Sequence, residues 1–279
     1  MRISLFFAAV LGMLGAPVFA EDHVEARYVA WASVDGAAAF AGVRLEMAPG
    51  WHVYWRHPGP AGLATDVEVE PPSSWRVGDL LWPVPERFVQ PGDIPAFGYE
   101  GDVVLVRQLA AGAGQIGGTV TVAASWLACK DVCVLGEQRV TDRIPDRGET
   151  VGLSAEEVAA WRESLPRSLE EAPFRASATG SLDEGLVVWL QWTTEPRAVE
   201  LFPIPGDGAR IDEVMVRTRG GLTRIDVDAR VLRGEPQDLQ AVVVADAGDG
   251  ARRGWTLWAG RNKAAPGPQP NDTEHGGTR

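Results

Sequence analysis

Both cysteines of this 279-residue chain fall in one stretch of eight, Trp126-Leu127-Ala128-Cys129-Lys130-Asp131-Val132-Cys133. Two thiols in a C-x₃-C spacing can close a disulfide, supply two ligands to a metal, or cycle between dithiol and disulfide as a redox couple. The spacing by itself leaves all three open. Strand-like runs flank the pair, Gly118-Thr119-Val120-Thr121-Val122-Ala123-Ala124-Ser125-Trp126 before it and residues 134–144 after it. The cysteines therefore flank the tip of a β-hairpin, with Lys130-Asp131-Val132 as its loop. Opposed residues of an antiparallel pair have Cα atoms about 4.5–5.5 Å apart and a disulfide needs about 4.4–6.8 Å, so the sulfurs can bond with little backbone movement.

Which state the pair rests in depends on compartment. Arg2, the apolar run over residues 3–16 and the small-x-small triplet Val18-Phe19-Ala20 read as a secretory signal over residues 1–20, cleaved near Ala20. That run is short for a bilayer, and no later stretch approaches ~20 uninterrupted apolar residues. The expectation is a soluble, exported chain, in which a disulfide is the default and a reduced pair must be maintained by something else. With 26 basic against 38 acidic residues the formal charge is −12, which argues against nucleic acid as a ligand. A mature chain of this length can bury a good core without needing a disulfide to fold.

The elements that must hold the hairpin read almost entirely as strands. Residues 24–34, 38–47, 51–55, 65–70 and 102–109 alternate or run apolar between Pro and Gly, as in an immunoglobulin-like sandwich. Along 51–55 one face carries Trp51, Val53 and Trp55, and His52 falls on the other. Residues 82–88 and 90–100, with Pro83, Pro85, Pro91 and Pro95, read as extended loops lying across the sandwich. Ser154 and Glu157 form an S-x-x-E capping box that starts a helix over about 154–165, between the two strand-rich halves. Strand signals resume over 174–259, and residues 263–279 read as a disordered tail. The expected fold is all-β: a redox sandwich over 21–150, a helical linker over 151–170, and a second sandwich over 171–262.

Other chemistries find little support. His52, His57 and Met47 together with the thiols suggest a copper site. Against it, His57 precedes a Pro58-Gly59 turn and His52 lies opposite the tryptophans, so no metal is assigned. There is no Ser-His-Asp order, phosphate-cradling loop or H-E-x-x-H motif. Eleven tryptophans invite a glycan-binding reading, but their scatter through alternating strands fits core packing.

Four stretches resemble the periplasmic N-terminal region of the DsbD family of thiol–disulfide interchange proteins, particularly its two-domain branch typified by ScsB. They are Gly50-Trp51-His52-Val53-Tyr54-Trp55-Arg56-His57-Pro58-Gly59, Trp82-Pro83-Val84-Pro85-Glu86-Arg87-Phe88, Phe97-Gly98-Tyr99-Glu100-Gly101 and the cysteine stretch. The likeness is good over 50–144 and looser beyond, where Phe202-Pro203 matches a family feature. It implies an immunoglobulin-like domain whose cysteine pair takes electrons from a membrane-embedded donor and passes them to periplasmic oxidoreductases, with Cys129 and Cys133 as the redox pair and no organic cofactor. Full-length members continue into a membrane domain and a thioredoxin-like domain that this chain lacks, so the expected donor is a separate membrane-embedded protein and the expected acceptor a periplasmic thioredoxin-like one.

As a structural staple the pair would contribute little, since a ring of about five residues is worth only about 2 kcal/mol in the loop-entropy account. A reduced pair in an oxidising space also needs shielding, and the 90–100 segment with Phe97 and Tyr99 is the candidate movable cover. The resulting expectation is a periplasmic protein-disulfide reductase acting by thiol–disulfide exchange. The rival is an envelope binding module with a static disulfide and a metal, glycan or protein ligand.

Overall fold

The computed structural model describes residues 23–90, 92–111, 117–206, 208–234, 238–246 and 250–260. The expected signal peptide and the tail lie outside the described residues.

Strands follow one another as β1 (Val24–Ala32), β2 (Ala38–Met47), β3 (His52–Tyr54), β4 (Asp66–Glu70), β5 (Trp75–Leu81), β6 (Glu86–Gln90), β7 (Ile94–Glu100), β8 (Asp102–Ala111), β9 (Thr119–Cys129), β10 (Cys133–Arg143) and the short β11 (Thr150–Val151). They form two antiparallel sheets, β11-β1-β2-β8-β5 and β10-β9-β3-β7-β6. The long β9 pairs with β3 at its cysteine end, through Cys129 and Ala128, and with β4 over Thr121 to Ser125. Between the sheets lie Leu45, Leu105, Val53, Val67, Val122, Trp55 and Trp126. The period of two along β3 puts Trp51, Val53 and Trp55 into this core and leaves His52 and Tyr54 facing outward.

Helix α1 (Ala155–Glu163) carries the expected box: the Glu157 amide donates to Ser154 Oγ and the Ser154 amide donates to the Glu157 carboxylate. Lying between β11 and the strands of the second half, it also packs on the first sandwich. Val158 and Trp161, three apart and so on one helix face, pack on Val29, Trp31, Phe40, Val104 and Val106 on the outer face of the first sheet. The Trp161 indole donates to the Val104 carbonyl at 3.0 Å. Covered on both faces, β1, β2 and β8 contain continuous buried runs such as Val103–Val106 in place of an alternation.

After a 3₁₀ turn (Leu169–Glu171), β12 (Phe174–Ser181), β13 (Gly185–Trp192), β14 (Ala198–Ile204), β15 (Ala209–Arg219), β16 (Leu222–Val231), β17 (Leu239–Asp246) and β18 (Arg252–Ala259) build sheets β12-β13-β16-β15 and β14-β17-β18. Leu201, Ala241, Val243 and Ala245 face the core between these two sheets. Their neighbours Phe202, Val242 and Val244 face the opposite way and join the core of the first sandwich. The sheet β14-β17-β18 is thus buried on both sides, which is why β17 reads Ala241-Val242-Val243-Val244-Ala245 without a polar residue. At this seam Phe202 meets Trp55 and Phe97 edge-on, with ring centroids 6.1 and 5.2 Å apart.

The all-β expectation holds. Of the stretches 82–88 and 90–100, expected as extended loops, Glu86–Gln90 and Ile94–Glu100 instead form the hairpin of β6 and β7.

Candidate functional site

Cys129 closes β9 and Cys133 opens β10, and the two are direct register partners. Their Cα atoms are 4.1 Å apart and their sulfurs form a disulfide. The Lys130 amide donates to the Val132 carbonyl at 3.0 Å, which tightens the three-residue tip. Lys130 then reaches back over Gly50 to donate to the Pro49 carbonyl at 3.1 Å. Its ammonium is held on the turn between β2 and β3.

The two sulfurs have unequal surroundings. Cys129 is 1 % exposed, whereas Cys133 is exposed at the start of an edge strand. Cys129 belongs to a small cluster with Tyr54 and Ala96, flanked by Phe88 and Leu127. The Tyr54 hydroxyl donates to Cys129 Sγ at 3.2 Å and accepts a short hydrogen bond from the Gln90 amide. Burial pushes the Tyr54 phenol up, against a smaller opposing pull from Gln90; it therefore stays a donor toward the sulfur. His52 stacks on Phe88, with centroids 4.8 Å apart, and meets Tyr54 edge-on at 5.3 Å. Its imidazole is pushed down by burial, with the charge of Glu100 acting the other way. Beside this buried nest, along with the charged Lys130 and Asp131, stand exposed apolar side chains: Val132 and Leu135 are 58 % and 69 % exposed, and Ile94 is exposed as well.

Phe97 and Tyr99 do not face the cysteines. Tyr99 is the register partner of Val53, which is in turn the partner of Ala128, so Tyr99 and Phe97 point into the sandwich core while Cys129 points out. The Tyr99 hydroxyl donates to the Pro83 carbonyl at 2.8 Å, and Phe97 lies under the Arg87 guanidinium, 4.9 Å from its ring centre. The side chains that do lie over Cys129 are Tyr54, His52 and Phe88. The alternation along 51–55 already placed His52 and Tyr54 on one face; what joined them to Cys129 was the β3–β9 register, which no local pattern carries.

The metal arrangement weighed from sequence is not assembled. His52 lies on the cysteine face, His57 stands beside Phe97, and Met47 is in the core. No group of three or more His, Cys, Asp and Glu positioned to hold a metal occurs among the described residues.

The site is thus a β-sandwich disulfide at the tip of an edge hairpin, with one sulfur buried under a tyrosine hydroxyl and the other open. The family description "Thiol:disulfide interchange protein DsbD, N-terminal" matches residues 21–145, so the first sandwich is similar to the N-terminal domain of that family. The crystal structure of the N-terminal periplasmic domain of ScsB from Proteus mirabilis superimposes with a TM-score of 0.66 at 21 % identity, covering 90 % of this chain and 98 % of that one. That likeness shows a shared fold over both halves. No curated protein matches the chain.

Proposed function

We propose that the chain is a periplasmic electron relay. A membrane-embedded thiol donor on another polypeptide reduces Cys129–Cys133, and the resulting dithiol reduces the disulfide of a periplasmic thioredoxin-like acceptor. Residues 21–150 form the redox unit, 151–170 the helical segment on its outer face, and 171–262 the second sandwich. Residues 1–20 act as an export signal. The family match over residues 21–145 supports the exchange chemistry, and no helix among the described residues is long and apolar enough to cross a membrane.

The observation that carries the reading is the inequality of the two sulfurs. Exchange needs one sulfur that a partner thiolate can reach and another that leaves and later resolves the mixed disulfide. Cys133 is the reachable one and Cys129 the resolving one. Tyr54 supports the same roles, because a hydroxyl donated to Cys129 Sγ stabilises that sulfur as a leaving thiolate. The exposed apolar side chains Val132 and Leu135 beside Cys133 suit a protein partner.

The test is capture. With Cys129→Ser a mixed disulfide to a periplasmic partner accumulates at Cys133, and with Cys133→Ser none does. Equilibration of the native chain in glutathione and dithiothreitol buffers, with free thiols counted by alkylation, gives the potential. A value well below about −300 mV together with no captured partner would make the bond a static staple and refute the relay.

A further inference from the structure

Cys129, His52 and Glu100 occupy one cross-strand row. His52 on β3 is the register partner of Cys129 on β9 and, on its other side, of Glu100 on β7. Directly opposed side chains leave the same face of a sheet with Cβ atoms about 4.5–5.5 Å apart. A cysteine sulfur, an imidazole and a carboxylate are therefore successive cross-strand neighbours on three strands.

The imidazole has little freedom. It is 8 % exposed and wedged between Phe88 and Tyr54. Its Nε2 is buried with no hydrogen-bond partner among the described residues. A buried, unpartnered ring nitrogen calls for a reason, and the redox state of its neighbour supplies one. In the disulfide Cys129 Sγ has no proton to offer. On reduction Cys129 becomes an S–H donor on the face that His52 shares, in register with a ring whose Nε2 lacks a partner.

Resting on the reading of the pair as an exchanging couple, we propose that His52 is the proton acceptor for Cys129 in the resolving step, and that Glu100 behind it is a positioning residue that favours the protonated ring. In the direction of an acceptor, Cys133 Sγ is joined to one acceptor sulfur in the mixed disulfide. His52 Nε2 takes the Cys129 S–H proton, and the Cys129 thiolate attacks Cys133 Sγ. The Cys129–Cys133 bond forms and the bond from Cys133 to the acceptor breaks. The acceptor sulfur leaves with the electron pair as a thiolate and is protonated from His52 by way of solvent. The chain loses two electrons and the acceptor gains two.

The titratable and charged groups around His52 are Tyr54 on its own strand, Glu86 on β6, Glu100 on β7, the two cysteines, and Lys130 and Asp131 at the hairpin tip. Lys130 is drawn away onto Pro49, which leaves Glu100 as the charge in register with the ring.

The experiment uses the full chain, dithiothreitol as reductant and glutathione disulfide as the oxidising probe. Nuclear magnetic resonance titration of the His52 ring is expected to give different midpoints in the disulfide and dithiol forms, with Glu100→Gln lowering the midpoint in both. His52→Gln is expected to slow closure of the disulfide by on the order of 10²-fold near neutral pH, converging with the native chain at alkaline pH where Cys129 is already ionised. Identical His52 midpoints in the two redox states would overturn the proposal, and that measurement needs no variant to fold. So would a His52→Gln rate profile parallel to the native one at every pH. The relay fails separately: capture of no partner, with a His52 midpoint that still follows the thiol state, removes the relay and keeps the proton coupling.

Discussion

Tyr54→Phe isolates the hydrogen bond that distinguishes the two sulfurs. The ring stays in its buried place beside Ala96 and Phe88, so packing is kept and only the hydroxyl, 3.2 Å from Cys129 Sγ, is lost. A disulfide sulfur is a weak acceptor, whereas a hydrogen bond to a charged group is worth about 1.5–3 kcal/mol. The loss therefore falls mainly on the thiolate, the charged form of the reduced pair. For a two-electron couple about 30 mV corresponds to about 1.4 kcal/mol, so the potential of Tyr54→Phe becomes more negative by about 30–60 mV where Cys129 is ionised. Where Cys129 is a thiol the two proteins nearly coincide. Potentials from dithiothreitol equilibria, taken about two units below and above the ordinary cysteine value of about 8.5, check this. An offset of the same size at both pH values, or none at either, would refute the assignment of Tyr54 as a thiolate donor. The Gln90 amide loses its acceptor in the variant, so a stability loss of about 1–2 kcal/mol accompanies the redox effect and is measured separately by urea unfolding.

Phe202→Ala empties a fully buried site that belongs to the first sandwich's core although its strand belongs to the second; urea unfolding is expected to show a loss of about 3–5 kcal/mol, felt in both halves. His57 is pushed from 6.5 to about 4 by burial first and by the Arg56 charge second. A histidine with a depressed folded value is held neutral, so its share of stability is complete above about 6.5 and drains as pH falls toward about 4, by up to about 3 kcal/mol. The slope of unfolding free energy over that window should flatten in His57→Gln; an unchanged slope would remove His57 as its source.

Where a residue's environment was set by its own segment, the sequence reading reached it. The Ser154/Glu157 box starts α1, the bounds of β2 match the apolar run, and the three residues between the cysteines make the hairpin tip. Where it was set by register between distant strands, the reading stopped. Phe97 and Tyr99 share a face by their spacing, yet only the pairing of Tyr99 with Val53 says that this face is the core. The prolines at 83, 85 and 95 suggested a loop because proline interrupts a ladder, but Pro95 sits near the start of β7, where only β6 pairs with it because β3 reaches no further than Gly98.

The same register argument explains why the second sandwich bears on the cysteine site although it contributes no side chain to it. β14 places Phe202 against Phe97 and Trp55, and Arg87 on β6 spans the seam, donating to the Leu201 carbonyl at 3.3 Å and facing Glu200 at 3.5 Å. Arg252 of β18 reaches the Pro85 carbonyl at 2.7 Å just before β6 begins. Phe88 and Gln90 follow on that strand, one stacked on His52 and the other bonded to Tyr54. The strand that roofs Cys129 is thus gripped from behind by β14 and β18. Arg87 bonds along β6 and Arg252 bonds at its entry, so loosening either changes the placement of Phe88 and Gln90 without touching a sulfur. The apolar run of β17 is the sequence trace of that arrangement: a strand that supported only its own sandwich would need one apolar face, and this one has two.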